Sequence, residues 1–327
     1  MTNNEKPTIW ALLDDRPGNS TQALGVAQAL HGQVIEKRIY FDGGVRLPNV
    51  MRRGAALGID LAMSDALDEG PVPDVIIAAG RRLAPVLRRL KKDFPEAYTV
   101  QLMYPELSLR HFNLVVVPEH DERTDKQLFL TLGAPHRLTQ AKIADSAMKW
   151  RMKLHLKGIP TAVIIGGSTD RGEMTVSDME QLWLQMAPLQ GVGTMLVTTS
   201  RRTPEDVIEW LRGKVTLPHH FLPFGEGENA YPALLELAER VIVTADSVSM
   251  LSEACITGKP VYAFDSMDCL KPKHRRLLES LCARGHVRRL EDFDAAWAGG
   301  PSLNEATRVA AHIISALGDN HGISHDT

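Results

Sequence analysis

The feature that most constrains this chain is an alternation. Short apolar runs, most of them stopping at glycine, aspartate or proline, alternate with longer amphipathic stretches. Residues 8–13 (TIWALL), 74–80 (DVIIAAG), 98–103 (YTVQLM) and 112–118 (FNLVVVP) are such runs, and 33–40 (QVIEKRIY) alternates like a half-buried strand. Between them, Leu24, Ala27 and Leu30, and then residues 83–93 (LAPVLRRLKKD), carry helical spacing. Strands this uniformly apolar are buried on both faces, as strands of a parallel sheet are. Strands alternating with helices predict such a sheet with helices on both sides.

The pattern then restarts. Residues 161–167 (TAVIIGG), 193–199 (GTMLVTT), 240–246 (RVIVTAD) and 260–264 (PVYAF) are further buried runs, with amphipathic segments at 175–187, 203–213 and 273–284. In 203–213, Thr203 is placed to cap a helix, Pro204 to open it and Gly213 to stop it. At 327 residues the chain is long for one core and suits two domains of about 150 residues. The expected division is 1–150, 151–300, and a helix plus polar disordered tail over 301–327.

Charge and cysteine content exclude several classes. A net charge of -3, from 37 basic and 40 acidic residues, gives no bulk field for nucleic acid or an anionic membrane. The first apolar run ends at Asp14, too early for a signal-peptide core. No stretch approaches the roughly 18 apolar residues of a membrane span. Cys255, Cys269 and Cys282 include no CxxC pair, so neither a disulfide framework nor a zinc site is expected. A cytoplasmic protein with no nucleic-acid partner is the expectation.

Five strand ends carry chemistry. The loop DDRPGN (14–19) follows the first run, where open parallel sheets bind ligands. It offers Asp14, Asp15 and Arg16, a Pro17-Gly18 turn, and Asn19 or Ser20 as a helix cap. Arg81 follows Gly80 at the tip of another run and can hold a phosphate or carboxylate bidentately. VVVPEHD (115–121) brings His120 and Asp121, either of which can serve as a general base, and a carboxylate can orient the histidine. In IIGGSTDRG (164–172), Gly166 and Gly167 let a ligand approach the backbone, and Ser168 adds a hydroxyl. In TADSVSMLSEACITGKPVYAF (244–264), Asp246 or Ser247 can cap a helix. Ser247 and Ser249 sit where such a helix start receives a phosphate, and Glu253 lies one turn on from Ser249. Acidic residues accept ribose hydroxyls in nucleotide sites.

Together these residues resemble the mitochondrial fission Elm family. The resemblance spans about residues 8–290 and rests on WALLDDRPGNSTQALGVAQAL, the Gly80-Arg81 strand end, VVVPEHD, IIGG and TADSVSMLSEACITGKPVY. Asp15 departs from the family's commoner DGRPGN form. The family is similar to GT-B glycosyltransferases, whose α/β fold is two Rossmann-like parallel-sheet domains facing a cleft. The resemblance implies a nucleotide-sugar or nucleotide as ligand, with no metal or other cofactor. By it, Ser247 and Ser249 would touch phosphate, Glu253 ribose, and Gly166 and Gly167 the donor. Asp14, Asp15 and Arg16 would face an acceptor, with Asp14, Asp15 or His120 as base. A returning segment at 305–317 would pack on the first domain.

Three functions follow as expectations: a metal-independent glycosyltransferase, a non-catalytic nucleotide-binding or protein-interaction scaffold, and, least favoured, a nicotinamide-dependent nucleotide-sugar epimerase or reductase. No GxGxxG follows either first strand, which counts against the last.

Overall fold

The computed structural model describes residues 6–42 and 58–321, with side chains to residue 318. The chain divides into two compact units, one running to Arg137 and resuming at Glu305, the other Leu138–Asn304.

In the first unit, β1 (Thr8–Leu13), α1 (Pro17–Ala29), β2 (Gln33–Arg38), β3 (Val75–Ala79), α2 (Ala84–Asp93), β4 (Tyr98–Leu102), β5 (Leu114–Pro118) and β6 (Leu128–Thr131) follow in turn. The strands form one parallel sheet in the order β2-β1-β3-β4-β5-β6. The two-residue period of a strand divides its side chains between two cores. Ile9, Ala11, Leu13, Val75, Ile77 and Val116 face one side, with α1. Trp10, Leu12, Ile76, Ala78 and Val117 face the other, with Leu83 just ahead of α2 and Leu87 and Leu90 within it. Trp10 is fully buried, donates its indole N–H to the Pro71 carbonyl at 3.1 Å, and meets Phe94 edge-on.

The second unit contains α3 (Gln140–Arg151), β7 (Thr161–Ile165), α4 (Val176–Gln185), β8 (Met195–Thr199), α5 (Glu205–Lys214), β9 (His220–Phe221), α6 (Tyr231–Leu237), β10 (Arg240–Thr244), α7 (Val248–Ala254), β11 (Val261–Phe264), α8 (Pro272–Ala283) and β12 (Arg288–Arg289). Its parallel sheet runs β12-β11-β10-β7-β8-β9. Trp183 and Trp210 join α4 to α5 edge to face, and α3 lies against α6.

The last helix, α9 (Glu305–His321), belongs to the first unit. Ala306, Val309, Ala310 and Ile313 form its buried stripe in the α1-side core. The segment 319–327 was expected to be disordered. Its first three residues continue this helix, and 322–327 lie outside the described residues.

Two helix starts differ from the sequence reading. Helix α1 opens at Pro17 with Arg16 as N-cap and no side-chain cap, so neither Asn19 nor Ser20 caps it. Proline needs no N–H partner, which lets the helix begin one turn earlier than those side chains suggested. Helix α5 is capped at Pro204, not Thr203, because the Thr203 hydroxyl donates to the Gly166 carbonyl instead.

Candidate functional site at the two sheet switch points

In open α/β sheets, ligands bind beyond the carboxyl ends of the strands where the order of connection reverses. The first sheet reverses between β1 and β3, the second between β7 and β10.

At the first reversal Asp14 leaves β1. Its carboxylate accepts the Arg16 N–H at 3.1 Å and the Asn19 amide at 3.2 Å, while the Ser20 hydroxyl donates to its carbonyl. Burial raises the Asp14 carboxyl above the usual aspartate value, against those two hydrogen bonds and the nearby Arg82 charge. Asn19 is buried and presses on the neighbouring strand end. A Cβ at Gly80 would stand 2.5 Å from its amide nitrogen, and Gly80 also has φ +85°. Two independent constraints therefore require glycine there.

Asp15 and Arg16 are exposed, and a Cβ at Gly18 would meet nothing within 4 Å. Asp15 pairs with Arg82 at 2.5 Å, and the Arg82 guanidinium lies over the Phe41 ring. Arg81, the arginine singled out in the sequence, is half-exposed and pairs with Glu106 at 3.2 Å. Arg82 is the inward member of the pair. The signal for it was the phase of the two adjacent arginines after β3, which the sequence alone did not resolve.

His120 lies buried in a short turn after β5, with its Nε2 3.9 Å from the Asp121 carboxylate. In the sheet order, β5 stands three positions from β1, about 14 Å at ordinary strand spacing. Asp14 and His120 thus sit at separate strand ends, and Asp14 is the one at the reversal.

At the second reversal the centre is Asp246, buried to 1% exposure. It accepts the Gly167 N–H at 2.8 Å, the Thr244 hydroxyl at 2.6 Å and the Arg202 guanidinium at 3.0 Å. Thr244 in turn accepts the Gly166 N–H at 2.8 Å. Burial raises the Asp246 carboxyl against these bonds. Arg202 also donates to the Ser168 carbonyl at 2.6 Å, and the Ser168 hydroxyl accepts the Met174 N–H. Asp246 therefore does not cap α7. That role falls to Ser247, whose hydroxyl accepts the Met250 N–H at 3.4 Å.

The glycine pair has a packing reason of its own. A Cβ on Gly166 would stand 2.2 Å from the Asp246 carboxylate, and one on Gly167 2.1 Å from the Arg202 carbonyl. Ser249 is half-buried on α7. Glu253 accepts the Tyr231 hydroxyl at 2.8 Å, and burial pushes its carboxyl up to about 7. Burial beside that carboxylate also raises Tyr231 well above an ordinary phenol. Tyr231 opens α6, 22 residues before Glu253, so no local spacing pointed to it, and the same holds for Arg202. Among the described residues, no three His, Cys, Asp or Glu side chains gather in a metal-binding group.

A family model described as Mitochondrial fission ELM1 matches residues 17–317. The chain belongs to that family. Among its relatives, an uncharacterised protein of Rickettsia prowazekii is 29% identical over 94% of this chain and 98% of its own length. The mitochondrial fission protein ELM1 of Arabidopsis thaliana is 28% identical, covering 84% of this chain and 70% of that protein. Among solved structures, the UDP-GlcNAc 2-epimerase of Neisseria meningitidis, bound to UDP-GlcNAc, superimposes with a TM-score of 0.53 at 11% identity, covering 95% of this chain and 99% of that one. The glycosyltransferase SnogD of Streptomyces nogalater gives 0.50 at 14% identity, covering 95% and 96%. At these identities the likeness concerns the fold: this ELM1-family chain has the two Rossmann-like parallel-sheet domains of the GT-B type. Its described residues contain no helix long and apolar enough to cross a membrane.

Proposed function

We propose that this chain binds a nucleotide-sugar at the carboxyl edge of its second sheet and transfers the sugar without a metal ion. One observation carries the reading. The β7/β10 reversal coincides with the Gly166-Gly167-Ser168 loop, the Arg202 guanidinium and the start of α7. That is where open α/β sheets hold nucleotides. Ser247 and Ser249 would receive the diphosphate and Glu253 the ribose. Arg202 and backbone N–H groups would offset the charge of the leaving diphosphate. On the first unit, Asp14 is the favoured base for an acceptor hydroxyl. Its raised carboxyl sits closer to neutral than an ordinary aspartate, as a general base requires. Asp15, Arg16, Gly18, Asn19 and Arg81 would surround the acceptor.

Titration with nucleotides and nucleotide-sugars, followed by melting temperature, tests the reading on the intact protein, Ser249→Ala and Glu253→Gln. A ligand that binds only the folded state raises the melting temperature by mass action. One nucleotide class should do so, with affinity reduced roughly five- to tenfold in each variant. No response to any nucleotide would overturn the assignment.

A second reading rests on a different observation, and on the fission role in the name of the Arabidopsis relative. Glu253 already holds Tyr231, Ser247 already caps α7, and Asp246 fills the space beside Gly166. A cluster closed on itself suits a scaffold that recognises a protein partner and turns nothing over. A specific partner together with absent sugar transfer would favour it.

A further inference from the structure

The opposite edge of the second sheet carries a pocket that the nucleotide reading does not use. It has a volume of about 450 Å³ and opens where strands begin, at Arg240 of β10 and at Lys259-Pro260 ahead of β11. That volume lies within the range of small-molecule sites. Tyr262 and Trp297 supply aromatic wall, their rings 5.3 Å apart and edge to face. Arg240 is only 8% exposed. Among the described residues, no hydrogen bond or ion pair reaches its guanidinium, which lies 5.6 Å from the Phe293 ring. A buried cation ordinarily has a carboxylate or a set of carbonyls around it. The neighbouring cations do. Lys259 donates its ammonium to the Glu236 and Ala238 carbonyls, and Arg288 pairs with Asp294 at 2.9 Å while lying over Trp297.

The geometry points to a ligand site for a small aromatic carboxylate, with its anion on Arg240 and its ring against Trp297. Guanidinium and carboxylate match as a two-point hydrogen-bonding pair. Charge narrows the class. Two cations, Arg240 and Lys259, and one carboxylate, Glu239, line the pocket, which leaves it a single net positive charge. A monoanion fits, whereas a phosphate ester brings nearly two negative charges at neutral pH. A nucleoside diphosphate brings more still, which separates this pocket from the site proposed at the other edge.

The test is calorimetric titration of the full chain with 2-naphthoate, its neutral amide 2-naphthamide, and naphthyl phosphate. The acid should bind with a dissociation constant of about 1 mM or tighter, and at least about tenfold better than the amide or the phosphate ester. Arg240→Met keeps an unbranched side chain against Phe293 and should lose about tenfold for the acid. Trp297→Ala should weaken acid and amide alike. Equal binding of acid and amide, preference for the phosphate ester, unchanged affinity in Arg240→Met, or no binding of the acid each overturns the proposal. Should Arg240→Met fail to fold, the comparison of acid with amide on the unaltered protein still decides. Glu253→Gln should leave naphthoate binding unchanged, so failure here and failure of the nucleotide reading are separate results.

Discussion

Glu253 holds a proton more tightly in the folded protein than in the unfolded chain, because burial pushes its carboxyl up to about 7. The folded state therefore binds more protons between the ordinary glutamate value and about 7, and stability falls as pH rises through that window. Glu253→Gln keeps the shape and cannot ionise. The variant should show a flatter dependence of melting temperature on pH, with a relative gain of up to about 3 kcal/mol at alkaline pH; a slope unchanged from wild type would refute the shift. Two glycines should behave oppositely. Gly166→Ala drives a methyl into the Asp246 carboxylate and should cost about 1–3 kcal/mol in urea unfolding. Gly18→Ala meets open space inside α1 and should be neutral or stabilising by up to about 1 kcal/mol. The sequence marked both as glycines of ligand loops and had no means of separating them. What distinguishes them is contact with a side chain 80 positions away, at Asp246, and no periodicity reports such contacts. Asp14 and Gly80 were visible because they end apolar runs. Arg202 and Tyr231 were not, because each reaches the site across the fold.

Helix α9 is tied to the first unit by more than its apolar stripe. Glu305, 2% exposed, accepts the Leu132 N–H at 2.7 Å and the Gly133 N–H at 3.4 Å, while Arg308 donates to its other oxygen. Removing a carboxylate that satisfies buried N–H groups costs their desolvation. Glu305→Ala should lower stability by about 2–3 kcal/mol in chemical denaturation. Ile313→Ala, which opens a hole between α9 and α1, should cost about 2–4 kcal/mol. Equal stability of either variant with wild type would mean that the helix is only loosely seated. The amphipathic spacing of this segment was legible; its attachment point was not, since Glu305 and Leu132 are 173 residues apart. Helix starts were read less well than helix bodies. At α1 and α5 the amide and hydroxyl groups that usually cap a helix bond elsewhere instead, Asn19 to the Asp14 side chain five residues back and Thr203 to Gly166 across the fold. Caps are local rules, and tertiary partners override them.

For the molecule as a whole, strand type and parallel pairing followed from the apolar runs, because a strand buried on both faces has little choice of neighbour. The order of strands did not follow, and with it went the knowledge that the first sheet reverses at β1/β3 and the second at β7/β10. Each unit carries its own six-stranded sheet, which predicts that each unfolds as a cooperative unit. A fragment covering residues 138–304 should retain a cooperative unfolding transition, whereas one ending at residue 137 should lack it. Loss of cooperativity in both fragments would show that neither core suffices alone. The return of α9 also sets an order of events during synthesis. The apolar face of α1 leaves the ribosome long before its partner does, with the 167 residues of Leu138–Asn304 translated in between. At ordinary elongation rates that interval is roughly 10–30 s. Throughout it the second unit can complete itself while the first still shows a bare apolar groove, the kind of surface that chaperones bind. In the cell the unit that begins the chain is the last to finish.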